Sequence, residues 1–133
     1  MTAAIGASST YLDLDEVLAR MQQIAAAYPA IARLVDITES YSTPPTVEGR
    51  HLFALKISDN VGVNEDEPAL LLVSAHHGRE ITTPLITLSA AERLTAGYAI
   101  DPRIAAAVNG HEIWIAPVWN PGRSRSRGTS PTR

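Results

Sequence analysis

Hydrophobic and polar positions alternate along the chain with two different periods, and the changes of period outline its elements. Asp13 and Glu16 fit a capping box, and the apolar residues behind them recur every three or four positions, which predicts a helix. Its apolar stripe comprises Leu14, Val17, Leu18, Met21, Ile24 and Ala25. Tyr28-Pro29 then ends the helix, because a residue that precedes proline disfavours the helical backbone.

Further along, four stretches predict strands and two predict helices. The strands show alternation, β-branched residues or a continuous apolar run, and we expect them at residues 32–40, 52–58, 69–75 and 112–119. The helices are expected at residues 84–96 and 101–108. A loop with two prolines separates the first two strands, which could pair antiparallel. The pattern therefore predicts one α/β domain, a mixed β-sheet with flanking helices.

The third strand ends in the run His76-His77-Gly78-Arg79-Glu80, which is the strongest chemical signal in the sequence. The continuous apolar residues before it are typical of a strand buried on both faces, whose carboxyl end is where α/β sheets bind ligands. His77 and Glu80 offer an imidazole and a carboxylate, and zinc binds both. A turn in which the histidine caps a carbonyl and Glu80 complements the helix dipole is the alternative, and spacing alone favours it.

Residues 58–80 resemble the zinc carboxypeptidases, especially the bacterial carboxypeptidase T type. The opening helix, the Gly49-Arg50 start of the second strand and the Asn120-Pro121 end of the last strand follow in the family's order, over about residues 11–121. The resemblance implies the amino-terminal part of a three-layer fold and the release of carboxy-terminal residues from peptides or proteins. It also implies that His77 and Glu80 bind zinc and that Arg79 lines the substrate cleft.

The same resemblance implies further active-site residues for which we find no counterpart in these 133 residues. A third zinc ligand, the arginine that stabilises the oxyanion and the glutamate base come later in the family, so we expect a catalytically incomplete chain. His111 cannot replace the missing ligand if it lies at the opposite end of the sheet from His77, on the order of 20 Å away. We expect His111 and His51 to be solvated and not to bind zinc. We expect His76 to pack in the fold or to support a metal ligand. A non-catalytic metal-binding or peptide-binding module is the alternative function.

The loop over residues 59–67 is a second candidate metal site. It holds four acids together with Asn60 and Asn64, and oxygen donors of this kind bind calcium. Carboxypeptidase T-like proteins, which the chain resembles, bind calcium in comparable loops. The loop lacks the twelve-residue calcium-binding pattern, and a solvated connection is the alternative.

Composition adds mainly exclusions. The chain has no cysteine, so a disulfide, a thiolate metal site and a cysteine nucleophile are excluded. No stretch approaches a membrane span, and residues 1–10, which we expect to be flexible, lack a signal-peptide pattern. Members of the resembled family are commonly exported, so the compartment stays open. We expect self-association, since strands made for burial would be left with open edges.

The tail over residues 122–133 has four arginines and no large hydrophobic residue, which predicts disorder. Our preferred interpretation is a change of reading frame near Pro121. Nucleic-acid binding is the alternative, but the tail has no aromatic residue for stacking on bases and the net charge of the chain is −3. We therefore expect no nucleic-acid partner.

Overall fold

A computed structural model describes residues 13–75 and 83–121. The elements in chain order are α1 (Leu14–Ala27), β1 (Ala32–Asp36), α2 (Ile37–Ser40), β2 (Phe53–Ile57), β3 (Ala69–Val73), α3 (Thr83–Gly97), α4 (Pro102–Gly110) and β4 (Glu112–Ala116). The strands form one mixed sheet in the order β1-β2-β4-β3, with only the β3–β4 pair parallel. The predicted fold class and the antiparallel pairing of the first two strands are confirmed.

The first helix begins where the capping pattern predicts. The Asp13 side chain accepts a hydrogen bond from the Glu16 N–H at 2.8 Å, and the Glu16 carboxylate accepts one from the Asp13 N–H at 2.7 Å. Both bonds satisfy backbone donors that have no partner within the helix. The helix ends at Ala27, and the N–H of its C-cap residue Tyr28 still donates to the Ile24 carbonyl.

The strand registers give the sheet two different faces. One row across it, Leu34-Leu55-Ile115-Leu72, faces the helices and joins the hydrophobic core. The helices contribute the buried side chains of Val17, Met21, Ile24, Leu88, Ala91 and Val108. The adjacent row, Arg33-Lys56-Trp114-Leu71, points to the opposite face. Because the described helices α1, α3 and α4 pack on the first face, charged and aromatic residues are concentrated on the second.

Strand ends and strand burial differ from the sequence prediction: β3 ends at Val73 instead of residue 75, and β4 ends at Ala116 instead of Trp119. The first strand ends at Asp36 instead of Ser40, because Asp36 caps the short helix α2 by accepting a hydrogen bond from the Glu39 N–H at 3.0 Å. Strand β3 is at the sheet edge, so it is not buried on both faces: Leu70 is 49% exposed and Leu71 54%. Over residues 13–75 and 83–121, no helix combines the length and the apolar character that crossing a bilayer requires.

Candidate metal centre

The predicted zinc ligands and the predicted substrate residue fall in the stretch 76–82. His77, Arg79 and Glu80 therefore lie outside the described residues, as do His76, the amino-terminal segment 1–12 and the tail 122–133. The chain is described on both sides of the stretch, at Ala75 and at Thr83. Ala75 and Thr83 thus mark the two points between which the stretch with the candidate ligands lies.

Strands β3 and β4 end at the same edge of the sheet because they are parallel. Val73 pairs with Ala116, and the hydrogen bonding continues beyond both strands. The Trp119 N–H donates to the Ser74 carbonyl at 2.9 Å, and the Asn120 N–H donates to the Ala75 carbonyl at 3.2 Å. The chain before His76 is therefore fixed against the segment that leads to Asn120-Pro121.

Arg50, in the loop before β2, supports that segment. Its Nη1 donates to the Pro121 carbonyl at 2.9 Å, and its Nη2 lies 3.0 Å from a Glu48 carboxylate oxygen. A tight turn presents this side chain, with Gly49 at φ +77° and with the Arg50 N–H bonded to the Thr46 hydroxyl at 3.0 Å. The sequence prediction used Arg50 only as the start of a strand. The contact joins residues 71 positions apart, which no local pattern signals.

A cavity of about 190 Å³ lies between α1 and the sheet at this same edge. Its wall is mostly apolar and includes Leu14, Val17, Leu18, Met21, Phe53 and Val118, while Asp15, Arg50 and His51 supply its polar groups. The edge at which β3 and β4 end thus carries an apolar recess with charged groups at its border. Recesses of this kind are common beside ligand sites.

The two described histidines lie at opposite ends of the sheet. His111 precedes β4, where Glu112 donates to the Pro68 carbonyl, so it lies at the end of the sheet opposite Ser74. It is exposed, and its Nδ1 is 2.9 Å from the Ala107 carbonyl. The predicted location of His111, at the opposite end of the sheet from the end of β3, is confirmed.

His51 has a partner that the sequence prediction missed. Its Nδ1 lies 2.7 Å from Oδ2 of Asp36, and its ring stacks on Phe53 with centroids 6.4 Å apart. Burial by itself would raise the pKa of Asp36, but the Glu39 N–H and His51 outweigh burial and hold that pKa below its ordinary value. His51 thus pairs with the residue that caps α2, a contact that the sequence did not predict.

The acidic loop brings three carboxyl groups together. Asp59, Glu65 and Glu67 each offer an oxygen within 4.8 Å of the others. Burial raises the pKa of Glu67, and the nearby carboxyl of Glu65 and the charges of Asp59 and Glu112 raise it further. Among the described residues, Oε1 of Glu67 is the buried side-chain oxygen without a hydrogen-bond partner.

Lys56 anchors this loop to the sheet. Its ammonium donates to the Val63 carbonyl at 2.9 Å and to Oδ1 of Asn64 at 3.2 Å, and it lies 3.2 Å from Oε1 of Glu112. The same Glu112 oxygen accepts the Glu65 N–H at 3.0 Å. The Lys56 side chain is 5% exposed and that of Glu112 11%, so this ion pair is buried.

The structure so far defines an α/β domain whose candidate metal-binding stretch follows a parallel strand and precedes a helix. The sequence profile of the zinc carboxypeptidase family matches residues 17–129, eight residues past the expected end of the resemblance at Pro121. The chain belongs to the zinc carboxypeptidase family, whose members are metallopeptidases.

Individual relatives agree with this assignment. A zinc carboxypeptidase of Saccharothrix mutabilis subsp. capreolus is 36% identical over 111 residues, which cover 84% of this chain and 24% of that protein. Carboxypeptidase D of Homo sapiens is 33% identical over 102 residues, covering 76% of this chain and 7% of its own length. The crystal structure of a carboxypeptidase A from Helicoverpa armigera superimposes with a TM-score of 0.67 at 28% identity, over 84% of this chain and 25% of that one. This chain thus spans about a quarter or less of each relative.

Proposed function

We propose that this chain supplies the His77–Glu80 part of a zinc carboxypeptidase site, which acts on the carboxy-terminal end of peptides or proteins. The observation that carries the proposal is the family match over residues 17–129, which includes the run His77-Gly78-Arg79-Glu80 directly after β3. An imidazole nitrogen and a carboxylate oxygen are donors that zinc prefers, so the donor set fits the metal. The hydrogen bonds of Ser74 and Ala75 to the segment after β4 support the proposal, because they hold the chain in place just before His77 and Glu80.

In this proposal the three residues have different roles. His77 and Glu80 would hold the ion, and Arg79 would bind an anionic group of the substrate beside it. A zinc ion bound there would acidify a water molecule and polarise the scissile carbonyl. Hydrolysis also needs a general base and charge stabilisation, and the loss of either typically costs about 10²-fold or more in rate.

We further propose that these 133 residues do not hydrolyse peptides by themselves. The chain spans 24% of the bacterial relative, and the resemblance yields no third ligand, oxyanion arginine or glutamate base within it. The remaining groups would come from additional sequence of the same family. A metal-binding or peptide-binding module without turnover is the second candidate, and the same shortage of catalytic groups favours it.

Zinc retention and turnover separate these functions. The chain is equilibrated with zinc and dialysed, and its metal content is compared with that of the variants His77→Ala and Glu80→Gln. His111→Ala is the matched control, because this exposed histidine lies at the other end of the sheet. We expect both ligand variants to lose zinc and the control to keep it.

Hydrolysis is measured on the same samples with a peptide that has a free carboxy terminus. We expect no release of the terminal residue by the wild-type chain. Zinc-dependent turnover that His77→Ala abolishes would show that the chain is catalytically complete. If the wild-type chain retains no more zinc than His77→Ala, the metal assignment fails.

We also propose that the acidic loop binds calcium through Asp59, Glu65 and Glu67. Calcium takes oxygen ligands at about 2.3–2.6 Å, so ligand oxygens on opposite sides of one ion are about 5 Å apart. The three carboxyl groups satisfy that limit, since their oxygens lie within 4.8 Å of one another. The buried, unpaired oxygen of Glu67 supports the proposal, because a cation would provide its missing partner.

A calcium titration tests this second proposal. At a calcium concentration about a hundredfold above the Kd, binding to the native state alone would add about 2.7 kcal/mol to the free energy of unfolding. Glu67→Gln should abolish the rise in melting temperature, whereas Asp66→Asn, an exposed acid of the same loop outside the cluster, should keep it. An unchanged melting temperature of the wild-type chain at millimolar calcium would eliminate the site.

Self-association is the third proposal, and the edge of the sheet supports it. β3 has no neighbour on its outer side among the described residues, and Leu70 and Leu71 are about half exposed. A free strand edge with apolar side chains is a surface on which a second copy can pair. Sedimentation measures this directly, and a monomer at high protein concentration would contradict it.

A further inference from the structure

One hydrogen bond joins the two ends of the stretch that carries His77 and Glu80. The Ala75 N–H donates to the Thr83 hydroxyl oxygen at 3.0 Å. Ala75 is the last described residue before the stretch, and Thr83 is the first residue of α3. The stretch therefore leaves the sheet and enters the helix at two points that one side chain holds together.

Ala75 has an unfavourable backbone conformation that its surroundings maintain. Its φ is +53°, in the left-handed region, which an alanine adopts only at an energetic cost. It is buried, at 4% exposure, and both its backbone groups are used: the carbonyl accepts the Asn120 N–H and the N–H bonds to Thr83. Without the Thr83 hydroxyl, this N–H would lose its partner in the strained turn.

Two buried hydroxyl groups reinforce the same junction. Ser74 Oγ lies 2.6 Å from the Pro117 carbonyl and 2.9 Å from Thr87 Oγ1. A hydroxyl group has one proton to donate, and the short contact indicates that Ser74 donates its proton to the Pro117 carbonyl. In the hydrogen bond between Ser74 and Thr87, the Thr87 hydroxyl is therefore the donor. Strand β3, helix α3 and the segment after β4 are thus joined by side chains directly beside Ala75.

We propose that Thr83 is a positioning residue for the metal ligands, and this inference rests on the proposed zinc site. Its hydroxyl acts through the Ala75 backbone and would not touch the ion. A loop with fixed ends loses less conformational freedom when two of its side chains converge on one metal. The hydroxyl therefore raises the affinity for zinc by organising the stretch before the metal arrives.

The test compares zinc affinities of the whole chain, measured by competition with a chromophoric chelator. Thr83→Val keeps the shape of the side chain and removes the hydroxyl, while Thr83→Ser keeps the hydroxyl. Thr95→Val is the matched control, since Thr95 is also buried in α3 and, among the described residues, its hydroxyl bonds to the Ala91 and Glu92 carbonyls of that same helix. All variants are measured at a temperature at which circular dichroism shows the metal-free chains folded.

We expect Thr83→Val to weaken zinc binding about tenfold, as the loss of supporting contacts around metal ligands typically does, and Thr83→Ser and Thr95→Val to bind as the wild type. Wild-type affinity in Thr83→Val, or equal weakening in Thr83→Ser, would overturn the positioning role. If Thr83→Val does not fold, Thr83→Ala takes its place with the same expected result. If the wild-type chain binds zinc no better than His77→Ala, the zinc site itself fails and the positioning role falls with it.

Discussion

Replacing Lys56 by methionine tests how the acidic loop is attached to the sheet. The substitution keeps an unbranched side chain and removes the ammonium group, which contacts Glu112, the Val63 carbonyl and Asn64. It also removes the cation 5.5 Å from the centre of the Trp114 ring. Of the described hydrogen bonds through which Lys56 and Glu112 hold the loop to the sheet, the one from the Glu65 N–H to Glu112 would then remain.

The size of the effect follows from burial. Lys56 and Glu112 are 4% and 8% exposed as whole residues, so the substitution leaves a carboxylate in the interior without its countercharge. Breaking a buried pair in this way costs about 3–5 kcal/mol. Val63 and Asn64 are exposed and can bond to water, and Glu112 keeps the Glu65 N–H, so we expect about 3 kcal/mol. That corresponds to a fall in melting temperature on the order of 10 °C.

Urea unfolding of a double-mutant cycle provides the assay. Glu112→Gln keeps an acceptor for the Glu65 N–H and removes the charge, so Lys56→Met/Glu112→Gln should cost about 2 kcal/mol less than the two single changes added together. Arg33→Met is the matched control, because Arg33 pairs with Lys56 in the same row but is exposed. We expect the control to change stability by less than about 0.5 kcal/mol.

Two results would refute this reasoning. An unfolding midpoint of Lys56→Met equal to that of the wild type would mean that the ion pair adds nothing beyond its desolvation. Additive costs in the double variant would mean that Lys56 stabilises the loop independently of Glu112.

Three further predictions concern a carboxyl, a strand edge and a turn. Because the pKa of Asp36 is lower in the folded state than in the unfolded state, its charged form stabilises the fold above the unfolded pKa, and this stability is lost as the pH falls through the folded pKa. Asp36→Asn should therefore reduce the slope of the unfolding free energy against pH below about pH 4. An unchanged slope would contradict this. Leu71→Lys should shift sedimentation towards the monomer, since a charge on the open edge of β3 opposes pairing; an unaltered distribution would place the contact elsewhere. Gly49→Ala should cost about 1 kcal/mol through its φ of +77° alone, because nothing lies within 4 Å of the added methyl. Gly62→Ala, equally open but without positive φ, is its control, and equal costs in urea unfolding would exclude backbone strain.

Elements fixed by neighbouring residues were predictable from the sequence. The capping box of Asp13 and Glu16 involves residues three apart, so its two hydrogen bonds could be inferred before the fold was known. The end of β1 could not be inferred in the same way. Ile37 and Thr38 favour a strand by type, but the cap from Asp36 and the bond from the Leu52 N–H to the Thr38 hydroxyl, 14 positions away, turn the chain into α2 instead.

The candidate sites divide in a similar way. The metal pair was predicted from a motif of consecutive residues and from family resemblance, and the acidic loop from its dense carboxylates. The supporting contacts were missed, because they join distant parts of the chain: Arg50 with Pro121, and Ser74 with Pro117. The burial of Lys56 was also missed, since lysine is rarely buried and only the fold brings Glu112 beside it.

The strand order carries a consequence for biosynthesis. β4 is the last strand in the described sequence, yet it lies between β2 and β3 and is the only strand of the described sheet that pairs with β3. A growing polypeptide therefore exposes the apolar residues of β2 and β3 until residue 116 has been synthesised, because their shared neighbour does not yet exist. Nascent chains interrupted before that point should be clients of chaperones or prone to aggregation, whereas chains that have passed it can close the sheet.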